Sequence, residues 1–257
     1  MKREIITEGK TKIVYKLDNG RVEIVSKSDI TAGDGAKRDV MEGKDFLANN
    51  TTCNNFELLR RKGIRSHFEK RWSKNSFVAK RCKMIPVEVV MRRIATGSYL
   101  KRNPEIKDGT VFDEVKVEFF HKDDELHDPY ILRKDPWWER YDAKKPIVYG
   151  NYIDEIEALC TGEEAQSMEG EARKVFLILE KAFKLLDVVL WDLKIEFGRT
   201  NDGKIVVADV IDNDSWRIRT RDGEQLDKQL YRDGKDLKTV KSKYQIVSDL
   251  TDKFIDI

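Results

Sequence analysis

The sequence predicts an α+β fold from three observations. Alternating apolar runs broken by glycine turns fill residues 4–27. Asp202-Gly203 joins two more alternating runs, a strong hairpin signal. The two stretches with clear helical spacing, roughly 163–187 and 237–254, come late, after a mixed middle segment. At 257 residues the chain has material for one large domain or two intimate subdomains. Lys+Arg 49 against Asp+Glu 47 leaves a net charge of +2, which argues against a generic nucleic-acid binder. Cys53, Cys82 and Cys160 lie far apart with no C-x-x-C pairing, and His67, His121 and His127 are scattered. A reducing compartment without structural zinc or a histidine metal site is expected. The N-terminus shows no secretory apolar core, and no apolar run approaches the ~20 residues of a membrane span. A cytoplasmic protein is expected.

In chain order, Ile5-Ile6 reads as a strand, Glu8-Gly9-Lys10 as a turn, and Ile13–Tyr15 and Arg21–Val25 as a hairpin around Asn19-Gly20. Residues 28–43, with Gly33, Gly35 and Gly43, read as a long loop of the kind that carries function. A helix is predicted over 44–62 with Phe46, Cys53, Phe56 and Leu59 on one side and Gly63 ending it. Ser76–Arg81 and Pro86–Arg92 read as strands joined by Met84-Ile85-Pro86, because proline cannot donate to a ladder. Residues 115–121 read as a strand and 122–146, charged and proline-bearing, as loop. Met168, Ala172, Val175, Phe176, Leu179, Phe183 and Leu186 form a core-facing stripe, as do Leu237, Val240, Tyr244, Val247, Leu250 and Phe254.

The hairpin at 190–217 carries the clearest chemistry. With Asp202-Gly203 as a two-residue turn, Asn201 pairs with Lys204 and Glu196 falls opposite Asp209. Alternation puts Asp192, Lys194 and Glu196 on one face, and Leu193, Ile195 and Phe197 on the other. Facing carboxylates repel, by a few tenths to roughly 1 kcal/mol, so a cation between them is expected. Oxygen ligands beside a lysine suit Mg²⁺ carrying nucleotide phosphates; the competing reading is a solvated outer face of an edge hairpin. Glu8–Lys12 is a glycine turn with lysines that suits a polyphosphate, although it is no P-loop. Arg92–Ser98 joins a strand to a short helical turn, an anion pocket for a phosphomonoester or an ordinary helix start with surface arginines. Lys70–Lys83 has six basic residues in fourteen, with Trp72 and Phe77, a composition shared by RNA binders and by strands flanking a nucleotide. Gly33–Lys37 and Asp214–Arg217 pair acid with base in loops, each unspecific alone.

Together these segments resemble one family. EGKTKIVY, SDITAGDGAK, RRIATGSYLKR, HDP, DLKIEFG, ADVIDNDSWR and DKQLYRD occur in the order seen in SAICAR synthetase (phosphoribosylaminoimidazole-succinocarboxamide synthase), and they span nearly the whole chain. RRIATGS and VIDNDSWR look more like the animal-type branch; bacterial members usually carry an acid at the place of Val210 and Ser-Pro at Asp212-Asn213. The fused carboxylase of animals is not expected in this chain.

The resemblance implies a kinase-like β-rich part over residues 1–85 and a larger α+β part over 86–257, with a nucleotide cleft between them. It implies ATP-dependent joining of L-aspartate to the carboxylate of carboxyaminoimidazole ribotide (CAIR), giving SAICAR, ADP and phosphate through an acyl phosphate. Lys10 and Lys12 would bind the ATP phosphates, Glu196 and Asp209 Mg²⁺, and Met84–Glu88 the neighbourhood of adenine. Lys194 would neutralise the transferring phosphoryl group, oriented by Asp192. Arg92, Ser98 and Arg217 would hold CAIR, and Gly33, Asp34, Gly35, Lys37 and Asp214 would help bind substrate. A homo-oligomer acting on small molecules, without nucleic acid or membrane partners, is expected. A small-molecule kinase or a silent nucleotide- or RNA-binding module are the rival readings; the H-R-D and D-F-G elements of protein kinases are missing.

Overall fold

The computed structural model describes residues 3–33, 36–134, 137–140 and 160–257. The first main sheet is antiparallel, with β1 (Ile5–Glu8), β2 (Lys12–Lys16) and β3 (Arg21–Ser26) followed in space by β7 (Ser76–Lys80) and β6 (Phe68–Ser73). Val22, Ile24, Phe68, Phe77 and Ala79 turn inward against α1 (Lys44–Arg61), whose Cys53, Phe56 and Leu59 complete that packing. Helix α1 ends as the glycine predicts: Gly63 is left-handed, φ +83°, and Ile64 N–H returns to the Leu59 carbonyl at 2.9 Å. Phe46 does not join the stripe and is 43% exposed.

The second sheet runs β11 (Trp137–Arg140), β10 (Tyr130–Lys134), β9 (Val111–His121), β8 (Cys82–Ile94), β12 (Val188–Thr200) and β13 (Ile205–Ala208), with β14 (Trp216–Thr220) also paired to β12. The short α2 (Ser98–Arg102) follows β8, and α3 (Gly162–Leu185) lies on the apolar face of the sheet, burying Met168, Ala172, Val175, Phe176, Leu179 and Phe183. A capping box starts this helix: Glu164 N–H donates to Thr161 Oγ1 at 3.2 Å, and Thr161 N–H to Glu164 Oε2 at 2.8 Å.

Three expectations are corrected. Residues 28–43 are not a bare loop: β4 (Asp29–Ala32) and β5 (Lys37–Val40) form a hairpin, Asp29 opposite Val40 and Ala32 opposite Lys37. Ile30 and Met41 anchor it in a small second core with Leu47, Tyr231, Val240 and Tyr244, drawn from α1, α4 (Gln229–Arg232) and α5 (Leu237–Asp252). Met84–Pro86 is not a connection, because β8 runs through it and Arg81 alone separates β7 from β8. Pro86 is accommodated in a bulge, where pairing with β12 jumps from Glu88–Glu196 to Met84–Gly198. Within 122–146, the described part holds a short 3₁₀ turn at Asp124–Leu126 and the paired strands β10 and β11. Local composition hid β8 because its partner β12 lies about a hundred residues on, and hid the β4–β5 hairpin because its anchoring core comes largely from distant helices.

Asp227 caps the approach to α4, accepting from Gln229 N–H at 2.7 Å and Ile218 N–H at 2.9 Å. Burial pushes its carboxyl up to about 6, against the pull of those two bonds. The protonated form is therefore favoured by folding, so this contribution is complete below pH ~4 and is lost as pH rises through ~6. Relative to Asp227→Asn, the natural chain should lose about 3 kcal/mol of stability between those limits. Urea unfolding of both proteins at pH 4 and pH 7 checks this, and a constant difference would contradict it.

Candidate functional site

Strand β12 is interior, with β8 on one side and β13 and β14 on the other, so the edge-hairpin reading fails. Leu193, Ile195 and Phe197 enter the core, while Asp192, Lys194 and Glu196 line a cleft of about 980 Å³. The expected register is off by one. Thr200 N–H donates to Lys204 O, and three residues, Asn201 to Gly203, make the turn with Gly203 at φ +76°. Glu196 consequently faces Ala208, and Asp209 lies one residue beyond β13. Asp209 nevertheless reaches the same cleft, from a left-handed backbone with φ +65°.

There three lysines meet three carboxylates. Lys12 donates to Asp209 Oδ1, joining β2 of the first sheet to the end of β13. Lys194 Nζ lies 2.5 Å from Glu88 Oε1 and 3.4 Å from Glu196 Oε1, and Lys122 Nζ lies 2.5 Å from the same Glu196 oxygen. Burial disfavours the charge on Lys194, but Glu88 and Glu196 outweigh it and raise its pKa. Burial likewise opposes ionisation of Asp209, yet Lys12 and Lys122 hold it well below the usual carboxylate range. Lys12, Lys194 and Asp209 are thereby held in their charged forms at neutral pH. The acids here are oxygen donors; among the described residues no three of them gather as a metal cluster, but Glu196 and Asp209 fit a hard cation that brings its remaining ligands on phosphates, since Mg²⁺ commonly takes just one or two protein carboxylates.

A second group occupies the other stretch of β12. Asp192 Oδ2 accepts from Arg92 Nη1 at 2.8 Å and from Arg217 Nη1 at 2.5 Å. Asp192 therefore orients two arginines rather than Lys194. Arg92 Nε donates to Glu118 at 2.6 Å, Glu118 also takes Arg102 at 2.5 Å, and Arg92 Nη2 reaches Ser98 Oγ at 3.4 Å. Gly97, at φ +59°, lies flat beneath Arg217; a Cβ there would come within 2.7 Å of the guanidinium. Asp214 lines the cleft as well, held by Lys44 at 3.5 Å, Lys228 at 3.3 Å and the Tyr244 hydroxyl at 2.8 Å.

Of the remaining predicted positions, Lys10 and Gly33 line the cleft. Lys37 does not: its ammonium donates to Tyr231 O at 3.0 Å and sits over that ring. Ser98 touches the cleft only through Arg92, Met84 is 40% exposed and outside the lining, and Asp34 and Gly35 lie outside the described residues. Sequence reasoning missed Lys122 and Glu118, filed in a charged loop and an ordinary strand, and Lys44, Lys228, Lys27 and Arg38. The HDP motif near Lys122 and the DKQLYRD motif that contains Lys228 were the available signals.

A model of the SAICAR synthetase family matches residues 5–250. Phosphoribosylaminoimidazole-succinocarboxamide synthase of Chloroflexus aurantiacus is 46% identical over 97% of this chain and 96% of its own. A probable multifunctional protein of Caenorhabditis elegans is 42% identical over 98% of this chain and 59% of its own length. Among solved structures, a SAICAR synthetase in complex with ADP matches with a TM-score of 0.83 at 30% identity, covering 96% of this chain and 97% of that one.

Proposed function

The chain belongs to the SAICAR synthetase family, and from that premise we propose that its cleft uses ATP to join L-aspartate to the carboxylate of CAIR, giving SAICAR, ADP and phosphate in purine biosynthesis. One observation carries the assignment of sites. A single strand, β12, presents a lysine–carboxylate group at Lys194 and Glu196 and an arginine group at Asp192, all opening into one cleft. The first suits a polyphosphate and the second a phosphomonoester, the two phosphate-bearing molecules of this reaction.

In this reading Lys10 and Lys12 bind the ATP phosphates, with Glu88 and the bulged stretch from Met84 beside the base. The ADP held by a 30% identical relative supports a nucleotide here. Mg²⁺, when bound, would be held by Glu196 and Asp209 and would neutralise phosphate charge. A carboxylate oxygen of CAIR attacks the γ-phosphorus and ADP leaves. The aspartate amine then attacks the acyl carbon, loses a proton, and phosphate departs with that CAIR oxygen. Lys194, kept protonated by Glu88 and Glu196, serves as fixed positive charge and not as a base. Arg217 holds the CAIR phosphate, with Arg92 and Asp192 setting its position, and Gly33 and Asp214 border the substrate.

Residues 1–85 supply the Glu8–Lys12 side of the cleft and 86–257 the β12 side, which supports reading them as nucleotide-binding and substrate parts. The animal-type wording of two motifs stands beside a 46% identical bacterial relative and a 42% identical one from C. elegans, so overall identity does not divide the branches. A cytoplasmic location accords with three free cysteines, and no described helix is long and apolar enough to cross a membrane. A homo-oligomer completes the reading, to be checked by sedimentation.

Isotope transfer tests the chemistry. CAIR labelled with ¹⁸O at both carboxylate oxygens should deliver one label to inorganic phosphate per turnover, and phosphate release should require both CAIR and aspartate. Unlabelled phosphate alongside normal SAICAR formation would rule out direct phosphorylation of CAIR. A phosphorylated product that survives without aspartate would indicate a kinase instead.

A further inference from the structure

Asp209 faces the cleft only because the chain bends. Along β13, alternation would place it on the face of Val207, which is fully buried in the core. The left-handed backbone at φ +65° breaks that alternation and delivers the carboxylate to Lys12. A non-glycine side chain disfavours this conformation, so something must hold it.

His67 is placed to do so. Its Nε2 lies 2.9 Å from the Asp209 carbonyl, and the side chain is almost wholly buried. The ring is wedged edge-on between Phe56 and Phe77, with centroids 5.5 and 5.7 Å away. Its own backbone is stapled on both sides: His67 N–H donates to Val207 O at 2.9 Å, and Lys80 N–H donates to His67 O at 2.8 Å. The His67 backbone thus bridges β7 of the first sheet and β13 of the second. A carbonyl can only accept, so Nε2 carries a proton and donates it to Asp209 O.

We propose that His67 is a positioning residue: its ring N–H fixes the left-handed turn at Asp209 and thereby aims the Asp209 carboxylate at the nucleotide phosphates and their cation. This rests on the reading of Asp209 given above. His67→Phe keeps an aromatic ring between Phe56 and Phe77 but removes the donor; His67→Gln restores a donor at about the same reach. Calorimetry with ADP, with and without Mg²⁺, reads the result alongside CAIR KM and the melting temperature.

The expected outcome for His67→Phe is at least a tenfold loss of ADP affinity in Mg²⁺. Affinity without Mg²⁺ should change less than threefold and CAIR KM less than twofold, and His67→Gln should recover to within threefold of the natural chain. A purely structural histidine would lower the melting temperature without that Mg²⁺-dependent split, which would overturn the proposal, as would a glutamine variant no better than phenylalanine. If phenylalanine crowds its neighbours and the variant does not fold, His67→Met is the donor-free comparison. Asp209→Asn separates the two levels of inference. If it loses Mg²⁺-dependent affinity while His67→Phe keeps it, only the role of His67 fails; if Asp209→Asn itself binds normally, the reading of Asp209 fails.

Discussion

Lys194→Met is expected to slow turnover by 10²–10³-fold, about 2.7–4 kcal/mol, the effect of removing one preorganised donor from a developing charge. The side chains are similar in length, so the loss is one of charge. Lys194 is the ammonium shared between Glu88 and Glu196, and burial around it strengthens each of those attractions. Lys122 still reaches Glu196 and Lys12 still pairs with Asp209, so the other two lysines of this group remain and ADP should bind within a few-fold of normal. Steady-state kcat and ADP affinity, measured on one preparation, check both halves. A kcat within fivefold of the natural chain would remove Lys194 from the chemistry.

The second large effect is on stability. Arg92→Ala should cost about 3–5 kcal/mol, the range for breaking a buried ion pair and stranding its partner. Arg92 is 3% exposed, and Glu118 and Asp192, its partners on either neighbouring strand, are 6% and 4% exposed. Arg102 holds the other oxygen of Glu118 and Arg217 shares Oδ2 of Asp192, so neither carboxylate is left bare and the cost does not rise further. Arg217 is the more accessible guanidinium, so Arg217→Ala should instead raise CAIR KM by an amount equivalent to roughly 1.5–3 kcal/mol, with ATP KM little changed. Urea unfolding and substrate titration of the two variants distinguish these roles. An Arg92→Ala protein as stable as the natural chain would show that the buried ladder contributes nothing.

Much of this molecule is written locally. The stripes of α3 and α5, the glycine that ends α1, and the alternation of Asp192, Lys194 and Glu196 against Leu193, Ile195 and Phe197 each depend on residues within a few turns or along one strand. Periodicity therefore revealed the helices, the N-terminal strands and the polar face of β12, and the ordered motifs revealed the family. What periodicity could not supply was any relation between distant segments. The hairpin register turned on one extra residue in a turn, which moved Glu196 opposite Ala208 and left Asp209 beyond the ladder. The β4–β5 hairpin looked like loop because its anchoring core comes from α4 and α5, about two hundred residues on. Asp192 was assigned to Lys194, its neighbour on the same face, but it is held by arginines from β8 and β14, the strands on either side of it. Glu118 and His67 carry no local signature at all, and Lys122 has only the nearby HDP motif. A lysine in a charged stretch or a histidine before a strand acquires its role only when folding brings Glu196, Arg92 or the Asp209 carbonyl within hydrogen-bonding distance, and that proximity is a property of the packed sheets.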